Sequence, residues 1–367
     1  MGVYTTINDP SAFFQTQTYT GNGSSGLAIT NSGNSNLQPD WIWTKERSNT
    51  SGNQNHTFTD SSRGNTKQMF SNLTSAEATS SAFVTSFNSD GFTLGDNANI
   101  NNNSSTYVAW QWKCNGGTTS SNSSGSITST VQINTTAGFS IVLYTGNATE
   151  DATVGHGFSS APDVIITKRR SGGTGYWIVS SNDLDAQGTT GGSPDSPRNL
   201  YLNDTASAQS DRIIRQINAT TLNLQSAASA NSNGDSYLLY CFKEVQGYSK
   251  FGHYEGNGNA DGPFVYTGFK PSWLLVKASA GTTQNWQLWD IKRHTSSTYG
   301  IGNPRVRTLS PSVSNSESGD YSVDFYATGF KIRDTDSAWN GDGNTYFYMA
   351  FADSPHVSST GVPTTAF

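Results

Sequence analysis

An oxygen-rich loop near the C-terminal end contains the side chains best suited to chemistry. It runs from residue 334 to residue 344 and carries Asp334, Asp336, Asn340 and Asp342. Calcium takes about six to eight oxygen ligands, often from Asp and Asn side chains on a glycine-containing loop. We therefore predict these four residues as candidate calcium ligands. Because the run lacks the terminal bidentate Glu of an EF-hand loop, an Asn/Asp/Gly hairpin loop without metal is the alternative.

The same loop carries Trp339, one of nine tryptophans in the chain. Aromatic rings can stack on the apolar faces of sugars, and Asn and Asp side chains can hydrogen-bond sugar hydroxyls. Most of the other tryptophans lie in apolar runs, so we expect them in the core and Trp339 at the surface. Trp339, Asn340, Asp342 and Asn344 thus form a candidate glycan site. One such site binds at about millimolar Kd, about −4 kcal/mol, and repetition would raise the avidity.

No catalytic signature accompanies these residues. The sequence has no Gly-x-Ser-x-Gly elbow, no His-Glu-x-x-His pair and no phosphate-binding Gly-Lys-Ser/Thr. A glycosidase needs two carboxylates about 5–9.5 Å apart, and the few Glu residues do not recur across the repeats described below. The five histidines show no metal-ligand spacing. We therefore expect that the protein is not an enzyme.

Composition restricts the fold class and the partners. Charged residues make up 13% of the chain and aromatic residues 12%, a balance typical of short strands joined by many turns. The net charge of −6 and the lack of a basic patch argue against nucleic acid. Two cysteines do not make a disulfide framework. Without a run of about 18 apolar residues we expect no membrane insertion, and we expect no cofactor other than calcium.

Three sequence elements recur in the same order along the chain. The first reads Tyr-x-Gly-Asn and begins at Tyr19, Tyr144 and Tyr254. The second is a proline, an apolar run and a lysine six residues after the proline, with Pro39 and Lys45, Pro162 and Lys168, and Pro271 and Lys277 as the three pairs. The third is an alternating run that contains Tyr107, Tyr237 and Tyr346. Ordered recurrence at near-constant spacing indicates three tandem modules.

Each recurring element has the chemistry of a strand or a hairpin. Gly-Asn tolerates positive φ, and proline suits the entrance of a strand. The runs after the prolines, such as residues 41–43, are continuously apolar, which favours strands buried on both faces or at an inter-module contact. We therefore predict an all-β fold of three tandem β-sandwich modules, jelly-roll-like and joined by short linkers. An immunoglobulin-type sandwich is the alternative.

Composition also predicts the boundaries. The predicted segments are an N-terminal docking segment (1–14), a first module (15–117), a Ser/Gly/Asn linker (118–129), a second module (130–246), a third module (247–353) and a C-terminal tail (354–367). The two terminal segments lie outside the repeat and carry Phe13, Phe14 and Phe367. We predict these three residues as candidate docking residues for a partner. Loose termini are the alternative.

Several phrases of the sequence resemble repeat proteins of marine tailed bacteriophages. They lie at residues 4–14, 251–271 and 346–355, and the resemblance covers essentially the whole chain. The similar proteins are virion structural or fibre-like components that carry a domain of unknown function and no catalytic residues. The resemblance implies a virion location, with capsid or tail proteins as partners. The first residues lack a secretory signal pattern, which agrees with release by host-cell lysis.

Three candidate functions follow from these expectations. We favour a fibre or appendage component that attaches to the host surface through weak glycan binding. The alternative is a capsid or tail decoration protein with a purely structural role, and the second alternative is a glycan depolymerase. Attachment predicts an exposed aromatic cluster on the outermost module and is compatible with a homo-oligomer. Decoration predicts a docking tail.

Overall fold

Strands make up almost all of the regular structure. The computed structural model describes residues 4–48, 50, 52–184, 198–293, 303–319 and 322–363. Within these ranges lie one short α-helix, α1 (Ala98–Asn101), and two 3₁₀ turns, at Pro10–Ala12 and Asn182–Leu184. No helix among the described residues is long and apolar enough to cross a membrane. The all-β prediction is therefore confirmed.

The strands follow the repeated elements of the sequence. The first module contains β1 (Phe14–Thr20), β2 (Leu27–Ile29), β3 (Trp41–Glu46), β4 (Thr57–Asp60), β5 (Lys67–Phe70), β6 (Ala78–Thr79), β7 (Val84–Asn88), β8 (Gly91–Leu94) and β9 (Thr106–Trp112). The second contains β10 (Ser120–Asn122), β11 (Ser129–Asn134), β12 (Phe139–Thr145), β13 (Ala152–Gly155), β14 (Val164–Arg169), β15 (Ile178–Ser181), β16 (Arg198–Tyr201), β17 (Ile214–Ile217), β18 (Thr221–Leu224) and β19 (Ser236–Phe242). The third contains β20 (Ser249–Glu255), β21 (Phe264–Tyr266), β22 (Phe269–Ala280), β23 (Gln287–Asp290), β24 (Val323–Tyr326), β25 (Gly329–Ile332) and β26 (Thr345–Pro355).

Each module pairs one larger sheet with one three-stranded sheet. The larger sheets have the strand orders β1-β9-β3-β4-β5-β6, β10-β11-β12-β19-β14-β15-β16 and β20-β26-β22-β23. The three-stranded sheets have the orders β2-β8-β7, β13-β18-β17 and β21-β25-β24. Apolar side chains of the two sheets pack together inside each module. This face-to-face packing is that of a β-sandwich.

The apolar run after each proline forms a strand that is buried on both faces. In β3, Ile42 packs inside the sandwich of the first module, whereas Trp41 and Trp43 face the opposite way. Residues of all three larger sheets meet on that opposite side and form one central core. Successive side chains of a strand point to opposite faces, so a continuous apolar run serves both cores. The prediction of strands buried on both faces or at an inter-module contact is confirmed.

Aromatic rings fill the central core. The Trp41 ring stacks on Trp112 at 4.4 Å between centroids and on Tyr240 of the second module at 4.3 Å. From the third module, Trp273 packs edge-on against Trp112 at 5.7 Å. The space left between these rings is only about 10 Å³. The core therefore joins the three modules into one packed body.

The three repeated lysines link the modules in a cycle. Each lysine is fully buried at the end of its apolar run. Each Nζ donates to a backbone carbonyl oxygen in another module: Lys45 to Ser314 (3.1 Å), Lys168 to Thr74 (3.0 Å) and Lys277 to Thr205 (3.0 Å). The first module thus binds the third, the third binds the second, and the second binds the first.

Burial changes the acid–base chemistry of these lysines. It lowers the pKa of Lys45 to about 8, and it lowers the pKa of Lys168 and of Lys277 to about 7. The ordinary value is 10.5. The folded protein therefore binds fewer protons than the unfolded chain between these values, and its stability rises with pH across that interval.

We expect the folded protein to become more stable as the pH rises from about 7.5 to about 9. Each lysine that is deprotonated only in the folded state adds about 1.4 kcal/mol of unfolding free energy per pH unit. Urea unfolding, followed by tryptophan fluorescence, measures this slope. Lys168→Met should reduce it, and a flat dependence would contradict the expectation. Above about pH 9 the slope should decrease, because burial raises the pKa of Cys241 from 9.0 to about 12, so that its thiol stays protonated only in the folded protein.

Two of the three seams between modules contain a buried ion pair. At the seam of the first and second modules, Asp60 Oδ2 accepts from Arg63 Nε (2.5 Å) and from Tyr240 OH (2.7 Å). At the seam of the first and third modules, Asp290 Oδ2 accepts from Arg293 Nε at 2.5 Å in the same way. At this seam the second donor to Asp290 Oδ2 is the indole N–H of Trp110, which belongs to the first module (2.9 Å).

The third seam uses apolar residues at the same positions. Strands β4, β15 and β23 end at Asp60, Ser181 and Asp290, so Ser181 takes the place of the aspartate in the second module. Leu184 takes the place of the arginine three residues later. The facing residue of the third module is Met349, and both Leu184 and Met349 belong to the central core. The acid, the base and their hydrogen-bond donor are therefore replaced together.

Replacing Asp60 alone should lower the free energy of unfolding more than replacing Asp60, Arg63 and Tyr240 together. We expect Asp60→Asn to lower the unfolding free energy by about 3 kcal/mol, because the buried Arg63 loses its nearest counter-charge. The triple variant Asp60→Ser, Arg63→Leu, Tyr240→Met introduces the residue types of the apolar seam and should lose less. Urea unfolding of both variants tests this, and a triple variant less stable than the single one would contradict it.

The predicted N-terminal docking segment packs within the chain instead. Phe14 is 3% exposed, begins β1 and stacks on Phe351 of the third module at 5.3 Å. Phe13 packs edge-on against Tyr248 at 6.1 Å, and Ile7 is part of the central core. The prediction that Phe14 docks on another protein is wrong, because its ring is needed where the first and third modules meet.

The predicted linker also differs from expectation. Within residues 118–129, β10 pairs with β11 and extends the larger sheet of the second module. Just before it, the backbone N–H groups of Asn115 and Gly117 both donate to Gln132 Oε1 at 2.9 Å. This part of the segment is therefore a sheet edge rather than a flexible connection. The third predicted docking residue, Phe367, lies outside the described residues.

Candidate functional site

The predicted glycan-binding tryptophan is a core residue. Trp339 is 1% exposed and packs edge-on against Trp289 at 5.7 Å. Its carbonyl oxygen accepts from Tyr254 OH (2.7 Å), and the equivalent tyrosines donate to the carbonyl oxygens of Ile100 (2.8 Å) and Ala230 (2.6 Å). Trp339 therefore occupies a core position that recurs in every module. The prediction that it is exposed is wrong.

The oxygen-rich loop uses its side chains to hold its own backbone. Asp334 Oδ1 accepts from the N–H of Asp336 (2.9 Å), and Asp336 Oδ1 accepts from the N–H two residues later (2.8 Å). Asn340 is fully buried and donates to the Asp334 carbonyl oxygen (2.6 Å). Asp342 is exposed, and Asn344 is partly buried. Among the described residues no three His, Cys, Asp or Glu side chains come together as a metal site, so the structure does not gather the predicted calcium ligands.

The buried asparagine explains the repeated Tyr-x-Gly-Asn element. Asn101, Asn231 and Asn340 are each fully buried in equivalent loops. Each side-chain oxygen accepts from the backbone N–H of the Asn in the element: Asn22 (2.9 Å), Asn147 (2.8 Å) and Asn257 (3.0 Å). The amide therefore ties the first hairpin to the loop before the closing strand. Its role in the loop is structural.

Exposed aromatic side chains occur elsewhere, on the outer surface of the third module. Phe264 is 48% exposed, Tyr266 59% and Tyr326 37%, and they are three of the five large apolar residues exposed in the described part of the chain. They lie on β21 and β24, the two edge strands of one three-stranded sheet. Together with Lys331 on the central strand β25, they form what we call the aromatic face.

Strand alternation places these residues outward. Their neighbours Val265 and Phe325 are buried and face the sandwich core. In the register of the sheet, Gly329 lies between Tyr266 and Tyr326. A Cβ atom on Gly329 would lie 3.1 Å from Cζ of the Phe264 ring and 2.0 Å from a backbone oxygen. Glycine therefore lets the outer rings lie close to the sheet.

The other two modules have small or polar residues at the same positions. Phe264 pairs with Lys331 in the third module. The equivalent pairs are Ala28 with Thr93 in the first module and Thr153 with Asn223 in the second. The residues matching Tyr326 are Asn88 and Asn218, and they hydrogen-bond across the sheet to Thr93 (3.0 Å) and Asn223 (2.8 Å). The fold therefore does not need aromatic side chains there. The rings of the third module are therefore exposed without a structural need for them.

Charged and polar groups lie beside the aromatic face. Lys331 Nζ contacts Asp261 at 2.5 Å, and Tyr326 OH donates to Asp324 Oδ2 at 2.9 Å. The hydrogen bond from Lys331 lowers the pKa of Asp261, whereas desolvation and the bond to Asp324 raise the pKa of Tyr326. Near neutral pH Asp261 therefore presents a carboxylate and Tyr326 a phenol. Phe264, Tyr326 and Lys331 line an open depression of about 440 Å³.

Comparison with known families covers nearly the whole chain. A family model described as a domain of unknown function, DUF7483, matches residues 9–355. The chain belongs to the DUF7483 family. No curated protein and no solved structure matches it. The DUF7483 match spans all three sandwiches and the aromatic face, so the family unit includes the common core.

In this DUF7483 domain we expect Trp339→Ala to affect stability rather than ligand binding. Removing a fully buried Trp side chain costs about 3–5 kcal/mol. Trp339→Ile introduces the residue type of the first module and should lose less. Thermal and urea unfolding measure the two losses. Unchanged stability in Trp339→Ala would contradict the core assignment.

Proposed function

We propose that this DUF7483 protein is a bacteriophage virion structural protein, a component of a fibre or appendage, and that it attaches to the host surface through weak glycan binding at the aromatic face. The resemblance of residues 4–14, 251–271 and 346–355 to marine phage repeat proteins supports the virion location. The substitution of aromatic residues at outward positions of one module supports the attachment role. That substitution is the observation that carries the proposal.

The chemistry of the aromatic face suits a sugar. The rings of Phe264 and Tyr326 meet edge to face at 6.0 Å between centroids, which offers apolar surface to the C–H face of a pyranose. The exposed Asp261 provides a carboxylate acceptor for hydroxyl groups, and Lys331 provides a donor. Because these charges are already paired, an uncharged sugar can bind without leaving a charge unbalanced.

Weak affinity follows from the shape of the site. The depression is open, so a ligand keeps much of its surface in water, and a Kd of about 1 mM corresponds to only about −4 kcal/mol. Many copies on one virion would raise the effective affinity by about 10²–10⁴ without any new contact. We therefore propose that firm attachment to the host depends on the number of copies rather than on the affinity of one site.

The proposal is tested with an array of purified capsular polysaccharides and lipopolysaccharides from marine bacteria. The full chain is displayed in multivalent form on beads, and bound beads are counted by fluorescence. We expect Phe264→Thr with Tyr326→Asn, the residues of the second module, to reduce binding at least about tenfold, which is about 1.4 kcal/mol. Thr153 and Asn218 already occupy these two positions in the second module, so both substitutions should preserve folding.

Tyr176→Ser is the matched control. Tyr176 is 42% exposed and lies in the second module, so its loss removes an exposed ring without touching the aromatic face. This variant should bind as the unchanged chain does. If no array glycan is bound, or if both variants lose binding equally, glycan attachment through this face is wrong. Binding to purified capsids or tails in that case would indicate a decoration protein.

A further inference from the structure

A half-open groove lies beside β1, which is the outermost described strand of the first larger sheet. Phe14 and Thr16 of β1 line one side of the groove, and Ile291 and Lys292 of the third module line the other. Its volume of about 170 Å³ equals the liquid volume of about six water molecules. The groove can therefore receive a side chain, and it shares no lining residue with the depression at the aromatic face.

The free edge of β1 carries backbone hydrogen-bonding groups that point away from the sheet. The carbonyl oxygen of Phe13 accepts from Lys113 N at 2.9 Å, in line with the register of β1 and β9. Residues of an antiparallel strand alternate between bonding to the partner strand and facing away from it. Thr16 and Thr18 therefore direct their N–H and C=O groups to the free edge, which is a template for a further strand.

This edge is open to an incoming strand. Thr18 is partly exposed, Thr20 is exposed, and Thr16 lines the groove. The carbonyl oxygen of Thr18 accepts from Nε2 of the adjacent Gln17 at 2.9 Å. A side chain of β1 itself thus supplies a bond that a neighbouring strand would otherwise supply. A new strand would have to replace that one bond only.

The second module carries a strand at the equivalent edge. Tyr19 and Tyr144 are equivalent in the repeat, so β12 corresponds to β1 and Ile141 corresponds to Thr16. In the second module β11 pairs with β12, and Gln132 lies opposite Ile141. A strand that paired with β1 in the same register would therefore carry one residue opposite Thr16.

Gln132 fills the space that corresponds to the groove. Its side chain is fully buried, and its Nε2 donates to Ser61 Oγ (2.9 Å) and to Ser62 Oγ (2.8 Å) of the first module. These two serines follow the end of β4 as Ile291 and Lys292 follow the end of β23. The second module thus shows, within the same chain, how a strand and one of its side chains occupy such a groove.

The walls of the groove suit an amide side chain. Lys292 supplies N–H donors, and Asp353 and Ser272 supply oxygen acceptors. Phe14 and Ile291 supply apolar surface for an aliphatic stem. A glutamine side chain has such a stem and an amide that both donates and accepts. A charged side chain would instead meet one like charge.

We propose that β1 and the groove bind an extended strand of a partner protein, which pairs with the backbone of Thr16 and Thr18 and places a glutamine side chain in the groove. This mode of recognition is β-strand addition. The strand comes from a different protein, because in a second copy β11 already pairs on both sides and its Gln132 is buried. The proposal does not rest on glycan binding at the aromatic face.

The probe is a synthetic peptide that copies residues 127–136, which contain β11. It is added to the isotope-labelled full chain up to about 2 mM, because single small sites bind near millimolar. We expect saturable binding that slows amide hydrogen exchange of Thr18 at least about threefold, since this N–H becomes a donor to the peptide. A peptide with alanine in place of the glutamine should bind at least about fivefold more weakly, because the groove is then left unfilled.

Thr18→Pro removes the outward N–H group and should abolish binding of the fluorescein-labelled peptide, measured by anisotropy. Proline is tolerated on an edge strand where the N–H faces away from the sheet, and thermal unfolding checks that the variant is folded. The control is Phe264→Thr with Tyr326→Asn, which should bind the peptide as the unchanged chain does. This control also separates the groove from the aromatic face.

Three results would overturn the proposal. The first is unaltered exchange of the Thr16 and Thr18 amides at the highest peptide concentration. The second is equal binding of the glutamine and alanine peptides, or equal binding by the Thr18→Pro variant. The third is self-association of the chain that Thr18→Pro abolishes, because the occupant of the edge would then be a second copy.

Discussion

The burial of one strand per module on both of its faces is the constraint on which the rest of the structure depends. Ile42 and its equivalents close each sandwich, while Trp41, Trp43 and their equivalents close the central core. A module alone would expose that second face to water, which is unfavourable for such large rings. The match of one family model to residues 9–355 agrees with this dependence, since the shared core makes the three sandwiches a single unit.

Much of the fold could be predicted because its signals are local and occur three times. The Tyr-x-Gly-Asn turns, the prolines at strand entrances and the apolar runs each have a local physical meaning, and repetition distinguished them from chance. The lysines were visible in the same way, but their partners were not. Thr74, Thr205 and Ser314 lie in loops of other modules, and no local pattern identifies a carbonyl oxygen that a distant side chain will reach.

The functional site was misplaced because loop composition was used to judge exposure. The residues around Trp339 are those of a surface loop, yet the ring fills a core position whose equivalents are Ile100 and Ala230. The better signal lies in comparing outward positions between modules. That comparison needs the strand register, which pairs Phe264 with Lys331 and Tyr326 with Gly329. Given the register, departures from the repeat identify the aromatic face.

The unequal seams bear on how a self-similar chain avoids assembling incorrectly. Near-identical modules can exchange neighbours between two copies, which is a known failure of repeat proteins. Here a swapped contact that set Asp60 and Arg63 against Met349 would leave the buried Asp60 carboxylate without the hydrogen bond from the Tyr240 hydroxyl, and a buried acceptor that loses its donor is unfavourable. The residues at each seam therefore favour contact with one particular neighbouring module. Contacts with the wrong type of module should therefore be disfavoured, both within one chain and between copies.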